Sequence, residues 1–367
     1  MLKKRILFFA CTVAFALSMP VMAKIQTVSS NTQSKADPKA KKAVVKEKKE
    51  ATPKAEKKPV KKAEKKAKSP KQVRTTVVGR SNAEPGGHMS FGAALGLARS
   101  RDDLNLKSSV SIIVDQKTQD VLFEKNPSTV LPIASITKLM TAMVVLDAKL
   151  PMDEMLVIND EDAHIYNHSR LAAGTELTRR EAMLLALMSS ENRAAYTLGR
   201  NYPGGIAAFI PAMNRKAREI GMINSRFADP TGLTNQNAAS AEDLARMVNA
   251  AYQYPLIREF STNTNYTKII KGRPQEFISS NRLVRSGDME IGLQKTGYIA
   301  DAGRCLVMQA SIKGRPVIMV FLDSAGKLSR FADAVRVKDW IEEGGDVKAI
   351  RRIGLEKNGA SSSSANN

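Results

Sequence analysis

Two pairs of short apolar runs frame the middle of the chain. VSIIV (110–114) and VLFEK (121–125) flank the polar DQKTQD, and RCLVMQASI (304–312) and PVIMVFLD (316–323) flank Lys313-Gly314-Arg315. Short β-rich runs separated by turn residues predict two hairpins, and GLQKTGYI (292–299) supplies a fifth strand. From Ala134 to about Tyr254 the apolar spacing is instead mostly helical. Thr178-Arg179-Arg180-Glu181 is a capping box ahead of EAMLLALM, Ser240-Ala241-Glu242-Asp243 opens another helix, and Gly221 closes the one before it. A last helix, KLSRFADAVRVKDWIEE, follows the second hairpin. Helices inserted between the outer strands predict an α+β fold: a five-stranded antiparallel sheet flanked by helices, with a helical subdomain. This domain spans 87–345, long enough to bury most of its unfolded surface in one core.

The ends of the chain read differently. Lys3, Lys4 and Arg5 precede an apolar run that ends near Leu17, followed by Pro20, Val21 and Ala23, the pattern of a secretory signal peptide over 1–23 cut after about Ala23. The run is short for a bilayer span, and no later stretch reaches the roughly 18 uncharged apolar residues a membrane helix needs. Export to the periplasm, as a soluble or loosely wall- or membrane-associated protein, is expected. Removing Cys11 leaves Cys305 alone, so the mature chain has no intramolecular disulfide, and Cys305 reads as a small core residue. The end of the chain, 346–367, rich in Ser and Asn, is expected to be a disordered tail.

Charge changes the picture only in one segment. The chain carries a formal +21, yet residues 81–367 hold 35 Lys and Arg against 31 Asp and Glu, while residues 24–80 hold 19 against five. The segment 24–86, with no aromatic residue and with prolines at 38, 53, 59 and 70 interrupting its Lys-rich stretch, cannot bury enough apolar surface to fold and is expected to be a disordered basic linker. It is either a solvated spacer or a tether to anionic envelope polymer or anionic lipid; export argues against nucleic acid.

The chemistry begins with PIASITKLMTAMVVL (132–146), where Lys138 is the single charged residue of an apolar helix and Ser135 lies three positions before it. Residues three apart share a helical face, so hydroxyl and amine can meet. A helix start favours negative charge developing at the serine oxygen, and an apolar setting with a second cation lowers a lysine's pKa until it can act as a base. The bland alternative is a lysine that reaches the surface, and S-x-x-K recurs at Ser324 and Lys327. Company decides: Lys295-Thr296-Gly297 lies inside a strand-like run, and Ser190-Glu191-Asn192 ends the apolar helix EAMLLALMSS. S-x-x-K, S-x-N and K-T-G in this order mark active-site serine enzymes that bind penicillin. His164 and His168 are four apart without a third ligand, and read as surface or loop residues.

Over about 107–340 the chain resembles low-molecular-mass penicillin-binding proteins of the D-alanyl-D-alanine carboxypeptidase and endopeptidase family, most closely the endopeptidase branch. VLPIASITKLMT, ALMSSENRAA, DPTGLTNQN, GLQKTGYIADAGRCLVMQA and LDSAGK carry the resemblance. It implies a five-stranded antiparallel sheet with helices on both sides and a helical subdomain, and, by motif, Ser135 as acylated nucleophile, Lys138 as its base, Ser190 as proton relay and Asn192 as holder of the substrate amide. Lys295 would keep Lys138 partly neutral and attract the substrate carboxylate. Thr296 and Gly297 would line the strand along which the peptide adds, and the N–H groups of Ser135 and Tyr298 would form the oxyanion hole. Peptidoglycan stem peptides would be substrates and β-lactams inhibitors, with no metal and no cofactor.

Four readings compete: DD-endopeptidase, DD-carboxypeptidase, β-lactamase and a noncatalytic sensor. Glu259 to Asn263, the sole E-x-x-x-N, comes too late in the chain for a β-lactamase's deacylating loop. Family carboxypeptidases usually add a β-rich domain and an amphipathic anchor, for which the 27 residues after Trp340 are too few; this favours the endopeptidase. The long basic linker departs from that branch's pattern.

Overall fold

The computed structural model describes residues 88–164, 169–345 and 350–354, all within one compact unit. The signal peptide, the linker and His168 lie outside the described residues. We number the main elements β1 (Ser108–Asp115), β2 (Asp120–Lys125), α1 (Lys138–Asp147), α2 (Arg179–Met188), α3 (Asn192–Arg200), α4 (Gly205–Glu219), α5 (Ala241–Ala251) and α6 (Pro255–Thr262). A side hairpin β3 (Asn265–Ile270) and β4 (Arg273–Ile278) follows, then β5 (Glu290–Ile299), β6 (Gly303–Ile312), β7 (Arg315–Ser324), α7 (Ser329–Glu342) and β8 (Arg351–Arg352).

The main sheet runs β8-β2-β1-β7-β6-β5, antiparallel throughout. The five expected strands are present, with both hairpins in place. Period-2 alternation sends successive side chains to opposite faces. Ile112 and Val307 join the core beneath the helical subdomain, while Ile113, Leu306 and Met308 join a second core under α7. Because β1, β6 and β7 are covered on both faces, their sequences read as nearly continuous apolar runs.

The helical insertion forms as its caps dictate. Thr178 and Glu181 make the reciprocal capping box, and Glu181 also accepts from Tyr266 and Lys268 of the β3–β4 hairpin, pinning it to α2. Ser240 caps α5 through Asp243 N, and Gly221 takes a positive φ just after α4. Helix α1 is buried from Lys138 to Val145, which is why its sequence lacks a polar stripe.

Two differences stand out. The helical reading stops near Tyr254, whereas the structure adds α6 and the β3–β4 hairpin before β5; β3 alternates exposed with half-buried residues and carries little apolar signal. The tail expectation needs correction at Arg351–Arg352, which pairs with β2 as a sixth strand, while 346–349 and 355–367 lie outside the described residues. Arg351 binds Glu124 (2.8 Å) and Glu242 (2.5 Å), and Ile353 is buried. The open edge of β2 supplies the backbone partners for this short strand, and its neighbours in sequence are too few to show a period.

Candidate active site

Ser135 sits not in the first turn of α1 but in a 3-10 turn, Ala134–Thr137, just before it. In that geometry side chains three apart eclipse, bringing the Lys138 amine directly over the serine. Lys138 Nζ donates to Ser135 Oγ (2.8 Å), Asn192 Oδ1 (2.7 Å) and the Thr231 carbonyl (2.6 Å). The turn is forced: Ala134 has φ +48°, and the Ala134 carbonyl oxygen lies 1.9 Å from where a Cβ on Gly232 would be. Only glycine at 232, itself at φ +85°, admits the approach.

Lys138 is 1% exposed, and burial pulls its pKa down to about 7, against the opposing pull of Asp229 and Glu191. A neutral amine keeps two N–H bonds and one lone pair. Asn192 and Thr231 offer oxygens that can only accept, so the lone pair is left facing the Ser135 hydroxyl. That is the geometry of a general base.

Behind it lies a second lysine, although burial and not this neighbour's charge is what lowers Lys138. Lys295 of β5 is fully buried, and its Nζ donates to Ser190 Oγ (2.9 Å) and the Thr296 carbonyl (2.8 Å). Burial, then the charges of Lys138 and Arg330, hold its pKa well below the ordinary lysine value. Ser190 takes a left-handed φ of +64° in the turn between α2 and α3, which aims its hydroxyl at Lys295, while Asn192 opens α3. Glu191 accepts from Ser169 Oγ, and burial raises its carboxyl pKa.

These groups surround a cleft of about 300 Å³. All eight residues singled out in the sequence converge here: Ser135, Ser190, Asn192, Thr296, Gly297 and Tyr298 line it, and Lys138 and Lys295 are hydrogen-bonded to Ser135 and Ser190 respectively. Gly297 is needed because a Cβ there would meet the Ile133 carbonyl at 3.0 Å and Ser135 N at 3.2 Å, so β5 presses directly on the turn that carries Ser135.

Sequence reasoning missed several contributors. In DPTGLTNQN, Asp229 binds the amide of Gly232 and the hydroxyl of Thr231, shaping the loop that offers Thr231 O to Lys138. Asn237 ties that loop to the Ser135 turn through Ala228 N and Thr137 Oγ1. The Asp-Pro-Thr-Gly turn signature was visible, but not what it faces. Ser280 joins Thr296 Oγ1 at 2.7 Å, and Arg330, from the start of α7, lines the cleft with its Nε unpartnered. A lone arginine 35 positions after Lys295 carries no local signal. The second S-x-x-K is not a site: Lys327 is exposed and Ser324 ends β7. Glu259 is on the exposed side of α6, and His164 is exposed at the end of a short helix. Cys305 is wholly buried.

Comparison with known proteins agrees with this geometry. The profile of the peptidase S11 family, D-alanyl-D-alanine carboxypeptidase, matches residues 97–326. The chain is 47% identical over 249 residues to a D-alanyl-D-alanine endopeptidase of Pseudomonas aeruginosa, covering 67% of this chain and 80% of that one. It is 46% identical over 252 residues to the D-alanyl-D-alanine endopeptidase of Escherichia coli, covering 65% and 78%. Among solved structures, the Streptomyces K15 DD-transpeptidase superposes with a TM-score of 0.60 at 26% identity, over 64% of this chain and 97% of the other. Fold, cleft and sequence similarity together establish that the chain belongs to the peptidase S11 family of D-alanyl-D-alanine peptidases.

Proposed function

We propose that the protein is a serine DD-endopeptidase that hydrolyses D-alanyl cross-links between peptidoglycan stem peptides through an acyl-enzyme, and that β-lactams inhibit it by acylating the same serine. The observation that carries this reading is the Ser135–Lys138 pair at 2.8 Å, with the other two contacts of Nζ taken by oxygens. The endopeptidase reading, over the carboxypeptidase one, is supported by the 47% and 46% identities to proteins bearing that name, against 27% to a Bacillus subtilis carboxypeptidase.

In the first half-reaction, neutral Lys138 takes the proton of Ser135 as Oγ adds to the D-alanyl carbonyl. The N–H groups of Ser135 and Tyr298 receive the developing oxyanion. As the carbonyl re-forms, the C–N bond breaks, and the proton passes from Lys138 by way of Ser190 to the leaving amine. Asn192 steers the substrate amide with its NH2, because its oxygen is engaged by Lys138. Lys295, Arg330 and the Thr296–Ser280 hydroxyl pair give the leaving side a positive, donor-rich wall suited to a carboxylate next to the scissile bond. Water then attacks the ester, with Lys138 again taking the proton, and Ser135 is released.

Export to the periplasm and attachment of the basic segment 24–86 to anionic envelope polymer or lipid complete the proposal. They rest on the leader-like start and the charge of that segment. No helix among the described residues is long and apolar enough to cross a membrane.

The test is mass spectrometry of cross-linked muropeptide dimers and monomeric pentapeptides incubated with the mature protein, with Ser135→Ala as control. Conversion of dimers to monomers is expected. Loss of D-alanine from pentapeptides alone would replace the reading by a carboxypeptidase. Acylation by penicillin without turnover of either would replace it by a sensor.

A further inference from the structure

Strands β5, β6 and β7 place Tyr298, Arg304 and Ser324 directly opposite one another, with Arg304 paired to Tyr298 on one side and to Ser324 on the other. Residues opposed in this way present their side chains on one face as a row. A second cleft of about 270 Å³ is lined by all three, and it shares Tyr298 with the active-site cleft. Gly303 and Gly326 also line it and leave it open.

Two features of this cleft are unspent. The Arg304 guanidinium stacks 4.4 Å from the Tyr298 ring centroid, and among the described residues no carboxylate pairs with it. Ser324 is 4% exposed, yet its Oγ has no hydrogen-bond partner. Asp323 also lines the cleft, but its carboxylate is turned to Ser109, accepting from Oγ at 2.9 Å, and burial raises its pKa toward the neutral form. His88 is directed to Asp301 (3.2 Å). A cation beside an unpartnered buried hydroxyl is complemented by a carboxylate, which accepts from both.

The position of the cleft says which part of a substrate reaches it. β5 is the sheet edge, and the leaving side of the reaction is marked by Lys295, Thr296 and Arg330. A peptide laid along β5 with its reacting carbonyl at Ser135 must therefore run its acyl side past Tyr298 toward the β5–β6 turn. At about 3.3 Å per residue, one or two residues before the reacting D-alanine lie over the second cleft.

We infer that this cleft, built on Arg304 and Ser324, binds a carboxylate of the acyl-side stem peptide and makes that carboxylate a specificity determinant. The inference rests on the peptidase reading above. Two carboxylates have this chemistry and reach: the side-chain end of a diaminopimelyl residue, and the α-carboxylate of the isoglutamyl residue before it. A lysyl residue in place of the diaminopimelyl one would bring an ammonium against Arg304.

Hydrolysis of synthetic stem peptides with one common leaving group tests this. The acyl side is varied as free acid, end-amidated diaminopimelyl, isoglutaminyl and lysyl. The wild-type protein is expected to prefer the free acid about tenfold to a hundredfold in kcat/KM over whichever amide removes the bound carboxylate, which identifies its source. Arg304→Gln should collapse that ratio to near one, Arg304→Lys should restore part of it, and Ser324→Ala should reduce it. The ratio compares two substrates on one protein, so a fold defect does not imitate the effect. Equal rates on all four substrates, or a ratio unchanged in Arg304→Gln, would overturn the inference and leave the peptidase reading standing. Hydrolysis of none by a wild-type protein that penicillin still acylates would remove both.

Discussion

Gly297 and Ser135 touch through backbone: a side-chain carbon placed on Gly297 would lie 3.2 Å from Ser135 N and 3.0 Å from the Ile133 carbonyl. The strand that bears Lys295 is thus seated on the turn that bears Ser135. Gly297→Ala must push the two apart by a few tenths of an ångström. We expect Ser135 acylation by labelled penicillin to slow by about ten- to a hundredfold, with stability lowered by about 1–3 kcal/mol. Unchanged acylation would show that the turn adjusts freely.

Lys138 should set the pH profile. With its pKa near 7, the base is protonated and idle below that value and neutral above it. Acylation at sub-saturating penicillin should rise about tenfold per unit below pH 7 and level off above it. Stopped-flow acylation from pH 5.5 to 9 measures this, and a rate already flat at pH 6 would contradict it.

The same lysine predicts a stability effect. Its folded pKa lies below the unfolded value of 10.5, so between about pH 7 and 10.5 the unfolded chain binds the extra proton. Its contribution to stability therefore rises with pH across that window, and below pH 7 it carries its full cost. Lys138→Met should lose about a thousandfold or more in acylation while melting higher than wild type at neutral pH. Calorimetry of the two proteins decides.

Arg330 lines the cleft, and its buried Nε has no hydrogen-bond partner. Arg330→Gln is expected to raise KM for stem peptides by about tenfold with a smaller change in kcat, since a ground-state carboxylate contact is lost. Steady-state kinetics on one peptide would show it; an effect confined to kcat would reassign the residue.

Asp333 of α7 is fully buried and accepts from Lys107 N (3.0 Å), Ser108 N (2.9 Å), Ser108 Oγ (2.7 Å) and Arg336 (2.8 Å). It joins α7 to the start of β1. Asp333→Ala leaves those donors without an acceptor and should cost about 3 kcal/mol or more in chemical denaturation.

Cys305 should be inert in the native state. Burial pushes its thiol up to about 12, and the residue is wholly covered. Labelling by a maleimide at pH 7.5 is expected to follow global unfolding, in step with the loss of penicillin binding. Rapid native labelling would reveal an opening of β6.

Much of this molecule was written locally. The hairpins, the capped helices and the three catalytic motifs depend on residues a few positions apart, as do Thr178 with Glu181 and Ser135 with Lys138. Their pattern could be read from the chain alone, and the composition separated the basic segment 24–80 from the near-neutral body. The hairpin of β3 and β4 and the short strand β8 escaped because their stability comes from Glu181, Glu124 and Glu242, partners distant in sequence.

What only the tertiary structure decided is which groups meet and how water is kept from them. The carbonyl of Thr231, set by Asp229, and the oxygen of Asn192 turn Lys138 from a buried lysine into a directed base. Glycines 232 and 297 permit the close approach, and Arg330, Arg304 and Ser324 acquire meaning only from the clefts they line. A sequence records donors, acceptors and periodicity; burial and facing direction arise when strands and helices distant along the chain pack together, and these set the lysine's pKa and the reach of each side chain.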